Sequence, residues 1–228
     1  MSFKEFVKEL KANQRVEGEL LKTIFYSFVT SVVVLGVIYY FKLKFVEDFF
    51  PRYGFFLLFA VLSYALFIPT IKQVRAYERF GCMSGMMIGM TIGMIAGFAA
   101  GFYIGATNGM FIGGVFGMAV GIILGVWMGS CCGVMGFMEG IMAGFMGGWM
   151  GAMTSVMLIN DHLKLATGMI FVVTSVIMVG LNYMIYTETK ETERQRKEDN
   201  FITLIITLVL TIATTWLMVF GPRSLLFS

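Results

Sequence analysis

Methionine and cysteine recur through the middle of this chain at spacings suited to a soft metal ion. Met86, Met90 and Met94 are four apart, and Met135, Met138, Met142, Met146, Met150, Met153 and Met157 follow at steps of three and four. Such steps hold one face of a helix. A thioether is a soft ligand that selects Cu(I) over harder ions, and a row of weak sites lets an ion step along without being trapped. Thiolate is stronger, and Cys82, Cys131 and Cys132 stand at the ends of the methionine-bearing segments. Glu139 is the one acidic residue well inside an apolar segment. Ionisable groups there are expensive and usually functional. Met135, Met138 and Met142 neighbour it at helical spacings, so its carboxylate can offset the charge of a sulfur-held ion. The expected metal set is therefore Met86, Met90, Met94, Cys82, Cys131, Cys132, Met135, Met138, Glu139, Met142 and Met146. Its ion is Cu(I) or Ag(I), as cargo and not as a resident cofactor. His162, beside Asp161, completes an exit site on this reading.

The same residues have a plainer reading. Methionine is flexible and fills irregular gaps, and a free cysteine is often inert filler. A protonated Glu139 bonded to Thr91, and a solvated His162, complete that alternative. Other chemistry is missing. No Ser-His-Asp set, phosphate loop, Cys-x2-Cys or histidine cluster occurs. The glycines recur through helical segments with no preceding strand, unlike a nucleotide fingerprint. The expectation is that the chain is not an enzyme.

At one point the pattern resembles the Ctr-type copper transporters, in which one span carries Met-x3-Met and the next packs through GxxxG. The matching residues are Met86, Met90 and Met94, with Gly113, Gly117, Gly121 and Gly125. The chain departs from those proteins in span number, in lacking a Met- or His-rich tail, and in placing cysteine at the bends. The likeness is a shared chemical device and not family membership.

The elements that must position these residues are glycine-rich. Between Gly81 and Gly151 glycine falls at every fourth position from 81 to 133, and again at 136, 140, 144 and 148. Helices in lipid gain little from hydrophobic association, and small residues let their backbones approach. Glycine every fourth residue cuts a winding groove into a helix. Gly85, Gly89, Gly93, Gly97, Gly113, Gly117, Gly121, Gly125, Gly140 and Gly144 are the expected packing positions. They either close the core of one chain or join chains, and three such helices lean towards the second. A turn is expected at Ala106-Thr107-Asn108-Gly109.

Composition sets the solvent. The chain is 58% hydrophobic and 14% charged, against about 25% charged in soluble domains. Seven segments reach the roughly 20 apolar residues a spanning helix needs: 24–41, 55–71, 82–104, 110–128, 133–159, 165–185 and 201–220. They are apolar on both parities, which excludes barrel strands. The expected fold is an all-α integral membrane bundle of about seven transmembrane helices. It has a glycine-zipper core in spans three to five and an N-terminal amphipathic helix. Residues 1–23 form that cytoplasmic helix, or else a helical extension of the first span. Residues 24–80 hold two spans, 81–159 the Gly/Met-rich region, and 160–228 two more spans with a charged connector.

Lys and Arg concentrate on the cytoplasmic side of membrane proteins. Lys4, Lys8, Lys11, Arg15 and Lys22, then Lys72, Arg75 and Arg79, then Lys190, Arg194, Arg196 and Lys197 fall on the side of the N-terminus. The other side keeps Lys42, Lys44, Arg52, Lys164 and Arg223. This gives N-in and C-out in the plasma (inner) membrane, with an uncleaved signal anchor. The uncharged bend at 129–132 is the point where the count could fall to six. Three cysteines at these spacings make no disulfide framework. A net charge of only +3 gives no reason for nucleic acid. The expected partners are the lipid bilayer, a second copy of the chain and a cytosolic metal carrier. Two functions follow. One is a transporter or channel for a soft monovalent ion. The other is a non-catalytic, self-assembling membrane protein in which methionine only fills space. Orientation separates them, because a methionine stripe turned to lipid leaves no path.

Overall fold

The structure is a computed structural model describing residues 16–41, 53–77, 80–130, 133–189 and 200–222. These contain seven helices: α1 Val16–Phe41, α2 Phe55–Ala76, α3 Cys82–Asn108, α4 Met110–Gly129, α5 Gly133–Met157, α6 Leu163–Thr189 and α7 Asn200–Phe220. Each of the seven apolar segments is one helix. Five are long and apolar enough to cross a membrane: Lys22–Tyr40 within α1, and all of α2, α3, α4 and α6. α7 adds a shorter apolar stretch, Leu204–Phe220. α5 is not among the five, although its 25 residues extend about 38 Å at 1.5 Å per residue. The architecture is all-helical and compatible with a multi-pass membrane protein.

Two boundaries differ from the sequence reading. α1 starts at Val16 and runs unbroken into the apolar stretch, so residues 16–22 extend the first span and form no separate helix. Residues 1–15 lie outside those described, as do residues 190–199 of the charged connector. α2 continues past Ile71 to Ala76 and carries Lys72 and Arg75 within it. Lys72 is buried and is not a loop charge. Its Nζ donates to Thr23 Oγ1 of α1 at 3.5 Å, and the Arg75 guanidinium stacks 4.9 Å above the Trp127 ring of α4.

α3, α4 and α5 pack tightly on one another, α2 lies along α3, and α1, α6 and α7 gather around α2. α2 and α3 supply most of the apolar core, including Phe67, Ile68, Ile88, Ile92 and Phe102. A methyl carbon placed on Gly117 would lie 2.7 Å from Gly101 Cα, and one on Gly113 2.6 Å from Gly105 Cα. Rising numbers on α4 thus meet falling numbers on α3, so the two are antiparallel. One on Gly125 would lie 3.1 Å from Gly140 Cα, and one on Gly121 2.8 Å from Gly144 Cα. That makes α4 and α5 antiparallel too, and α3 parallel to α5. The chain therefore reverses at the bend after Gly129.

The α3–α4 reversal is tighter than expected. α3 runs to Asn108, α4 starts at Met110, and Gly109 alone makes the connection with φ 111° and ψ 168°. A side chain is strained at such a φ, so glycine is required there.

Candidate functional site: the methionine face of α3 and α5

The close approaches fix how the methionine rows are turned. On α5, Gly144 abuts Gly121 and Ile122 of α4, and Gly148 abuts Gly117 and Met118. Gly147 abuts the Met94 backbone of α3, and Gly151 the Phe98 backbone. At 100° per residue, Met146 and Met150 lie beside Gly147, on the side away from Gly144 and Gly148. The stripe therefore borders α3 and continues round to the outside of the bundle. Met138, Met142, Met146 and Met150 are each more than half exposed. On α3, Met90 and Met94 are exposed and Met86 is half-buried. A methyl carbon on Gly147 would sit 3.0 Å from Met94 Cα, which puts Met94 at the level of Met146 and Met150. Met94 of α3 and Met146 and Met150 of α5 thus flank one outward-facing seam between parallel helices, whereas Met138 and Met142 turn to the outer face of α5.

Glu139 is half-buried. Helical register sets it on the same flank as Met135, Met142 and Met146. It makes no hydrogen bond to Thr91 among the described residues. Cys82 is exposed as the first residue of α3, while Cys131 and Cys132 lie outside the described residues. No group of three or more His, Cys, Asp or Glu occurs among the described residues with the placement to hold a metal. Among the described residues the thioethers of the α5 row, from Met138 to Met150, lie on the surface of the chain. No path lined by methionine is enclosed between α3 and α5, because their backbones touch.

Glycines of α3, α4 and α5 approach one another closely within the chain. A methyl carbon on Gly97 would lie 3.1 Å from each of Gly117 O, Gly144 O and Gly148 N, and one on Gly93 3.0 Å from Gly125 Cα. Gly89 faces Gly129 and Gly125 in the same way, and Gly85 is buried. Gly114 makes room for the Trp149 ring, since a methyl carbon there would lie 2.8 Å from its Cε3.

His162 stands apart, in the 158–162 loop. It is exposed, with Nδ1 2.7 Å from Asp161 Oδ1. Its side chain, then its backbone N–H, hold the Asp161 carboxyl below the ordinary carboxylate range.

The sequence reading missed the polar contacts that α2 makes with each of its neighbours α1 and α6. Gln73 Nε2 donates to the Asn182 carbonyl at 3.4 Å, beside buried Lys72 and Thr70. The available signal was the four-residue spacing of Thr23, Ser27 and Ser31 along α1.

Comparison with protein-family models, with curated proteins and with solved structures gives no match.

Proposed function

We propose that the protein works as a membrane assembly that binds and passes a soft monovalent ion, Cu(I) or Ag(I), between copies of the chain. In this reading each chain is one seven-span protomer, N-terminus inside and C-terminus outside. α3, α4 and α5 form a glycine zipper that is a rigid block within the protomer. The observation that carries the reading is the shared seam. Met90 and Met94 on one helix, and Met146 and Met150 on the next, border the same outward groove, with Glu139 on its flank and Met142 further round on the outer face of α5. A single chain leaves that groove open. A second copy laid against it would supply the missing ligands and exclude lipid. Thioethers would give the preference for Cu(I), and the carboxylate would offset its charge. Cysteines at the helix ends would exchange the ion with a cytosolic carrier.

The outward turn of the stripe favours a second reading, in which the protein is a non-catalytic scaffold and methionine simply meets lipid. One experiment separates the two. Cu(I) bound per chain and native mass are measured for the wild type and for a triple variant, Met138→Leu, Met142→Leu and Met146→Leu. Loss of bound Cu(I) from a folded variant supports the ion reading. Equal Cu(I) content in both proteins refutes it and leaves the scaffold.

A further inference from the structure

Backbone contacts join α3, α4 and α5 into one body, and side-chain contacts join the four helices around it into another. Within the first, Gly97 of α3 meets the backbones of Gly117 on α4 and of Gly144 and Gly148 on α5. Helices packed this closely have no room to shift separately. Within the second, Lys72 of α2 donates to Thr23 of α1, and Thr211 of α7 donates to Ser31 of α1. Gln73 of α2 donates to the Asn182 carbonyl of α6. The Phe59 and Phe171 rings of the same two helices meet edge to face at 5.6 Å.

The contacts between the two bodies change character along α3. Towards its Asn108 end, the hydroxyls of Ser63 on α2 and Tyr103 on α3 share a hydrogen bond of 2.8 Å. The Asn108 amide donates to the Leu217 carbonyl of α7. Ser63, Tyr103 and Asn108 are all fully buried, and breaking such a bond away from water leaves both partners unsatisfied. At the Gly81 end the contacts are charged and reach water. The Gly81 N–H donates to Glu188 Oε1 of α6 at 2.9 Å, and Glu188 is exposed. Arg75 of α2 stacks on the Trp127 ring of α4, and both are half-buried. Exposed charged contacts contribute little, and water replaces the partner when they open. Gly81 serves its contact by leaving space. Its φ of −57° suits any residue, but a methyl carbon on it would lie 2.8 Å from Glu188 Oε1.

We propose that the α3–α4–α5 block hinges against the outer helices, pinned at the Asn108 end and latched at the Gly81 end by Glu188 and Arg75. Release of the latch parts α3 from α6 where Cys82 stands and leaves the far end closed. A carboxylate suits the latch. It accepts at the N-terminus of α3, where the helix dipole favours negative charge, and it stays within reach of water. The inference concerns the motion of the block, and it holds whether the methionine face meets an ion or lipid.

Pulsed EPR distances on the full chain in lipid nanodiscs test it, with spin labels where packing leaves room. Gly168 and Gly180 of α6 have open space around them, and Cys82 and Met110 are exposed. Labels at Cys82 and Gly180→Cys read the Gly81 end. Labels at Met110→Cys and Gly168→Cys read the Asn108 end. The other cysteines are replaced by Ser in each case. Glu188→Ala should raise the long-distance population of the first pair, and adding Trp127→Leu should raise it again, by about two- to five-fold for each contact removed. Gly81→Ala displaces the same carboxylate from the opposite side and should act as Glu188→Ala does. The second pair should not change in any variant. An unchanged first pair in both Glu188→Ala and Gly81→Ala would overturn the latch. Equal broadening of both pairs would overturn the hinge, because the Asn108 end would then not be pinned.

Discussion

Asn108, the last residue of α3, donates its side-chain amide to the Leu217 carbonyl of α7 at 2.7 Å. Its other amide atom, Oδ1, accepts from the Thr107 hydroxyl at 2.8 Å. Asn108 is fully buried. The bond joins the glycine-packed helices to the outer bundle at the point where Gly109 turns the chain into α4. Asn108→Leu keeps much of the volume and removes both bonds. Hydrogen bonds between helices in membranes average below about 1 kcal/mol, with the best near 2. We expect a loss of about 1 kcal/mol, since the Thr107 hydroxyl keeps the Ile104 carbonyl as an acceptor and the Leu217 carbonyl keeps the Gly221 N–H. Thermal unfolding in detergent checks this, and a melting temperature equal to wild type would mean that the contact contributes nothing.

The glycines separate into two classes with opposite expected signs. Gly121→Ala would put a carbon 2.8 Å from Gly144 Cα and 2.9 Å from Gly97 Cα. Those neighbours are backbone and cannot swing away. The forced separation should cost about 1–3 kcal/mol or more, the usual range for overpacking, and Gly121→Leu should not fold. Gly168 and Gly180 lie within α6 with nothing near the added carbon. Alanine there should instead stabilise by about 0.4–1 kcal/mol. Because the ladder packs within one chain, Gly121→Ala should lower the melting temperature even at concentrations where only monomer is present. Loss of oligomer with unchanged monomer stability would contradict this.

Asp161 and His162 give a pH-dependent expectation. The folded-state pKa of Asp161 is lowered, first by the His162 side chain and then by the His162 backbone N–H. A depressed carboxyl pKa favours the folded state above the ordinary carboxylate range, and that contribution is lost as pH falls through the folded value. His162→Ala removes the first cause and leaves the backbone donor at 2.8 Å. The Asp161 titration followed by NMR should move upward, towards the ordinary range, without reaching it. An identical midpoint in wild type and variant would show that the ring contact is not populated.

The glycine spacing was legible because its signal is geometric: a four-residue repeat cuts a groove into a helix, and Gly93, Gly97, Gly117 and Gly121 approach neighbouring backbones closely. What that groove packs against was not legible, since a protomer core and a subunit interface demand the same small residues. The direction of the methionine stripe was hidden for a similar reason. Spacing puts Met138, Met142 and Met146 on one face, but only the contacts of Gly147 with Met94 show which face it is. Lys72 was misplaced because a lysine ordinarily marks the end of a span, whereas here α2 runs one more turn and tucks its ammonium against Thr23. The polar contacts of α2 with α1 and α6 escaped because isolated Ser and Thr residues in apolar helices usually bond to their own backbone, as Thr211 and Thr215 do.

Topology has a direct chemical test at Cys82. It opens α3 and is exposed, at the end of the bundle where the Gly81 N–H meets Glu188 of α6. On the proposed orientation that end is inside. A membrane-impermeant thiol reagent should label Cys82 in inverted vesicles and not in right-side-out ones, using a variant in which Cys131 and Cys132 are replaced by Ser. Labelling from the outside would reverse the proposed orientation of all the spans.

The ion reading makes its sharpest claim at Glu139. It lies six residues into α5 from Gly133, so about 9 Å along the helix axis, with Met135 and Met142 on its flank and the Met90–Met94 row across the seam. A monovalent ion held only by thioethers keeps its full charge in a low-dielectric setting, where an uncompensated charge is costly. The carboxylate removes that cost. Glu139→Gln keeps the shape and deletes the charge, so it should weaken Cu(I) binding while leaving melting and native mass unchanged. Met138→Leu nearly conserves volume, a change that usually costs less than about 1.5 kcal/mol in stability. It should fold normally and also bind Cu(I) less tightly. Titration with a Cu(I) competitor ligand measures both. Equal affinity in wild type and the two variants would assign the stripe to packing alone. Weakened binding in Met138→Leu with no change in Glu139→Gln would keep the thioethers as ligands and remove the carboxylate from the site.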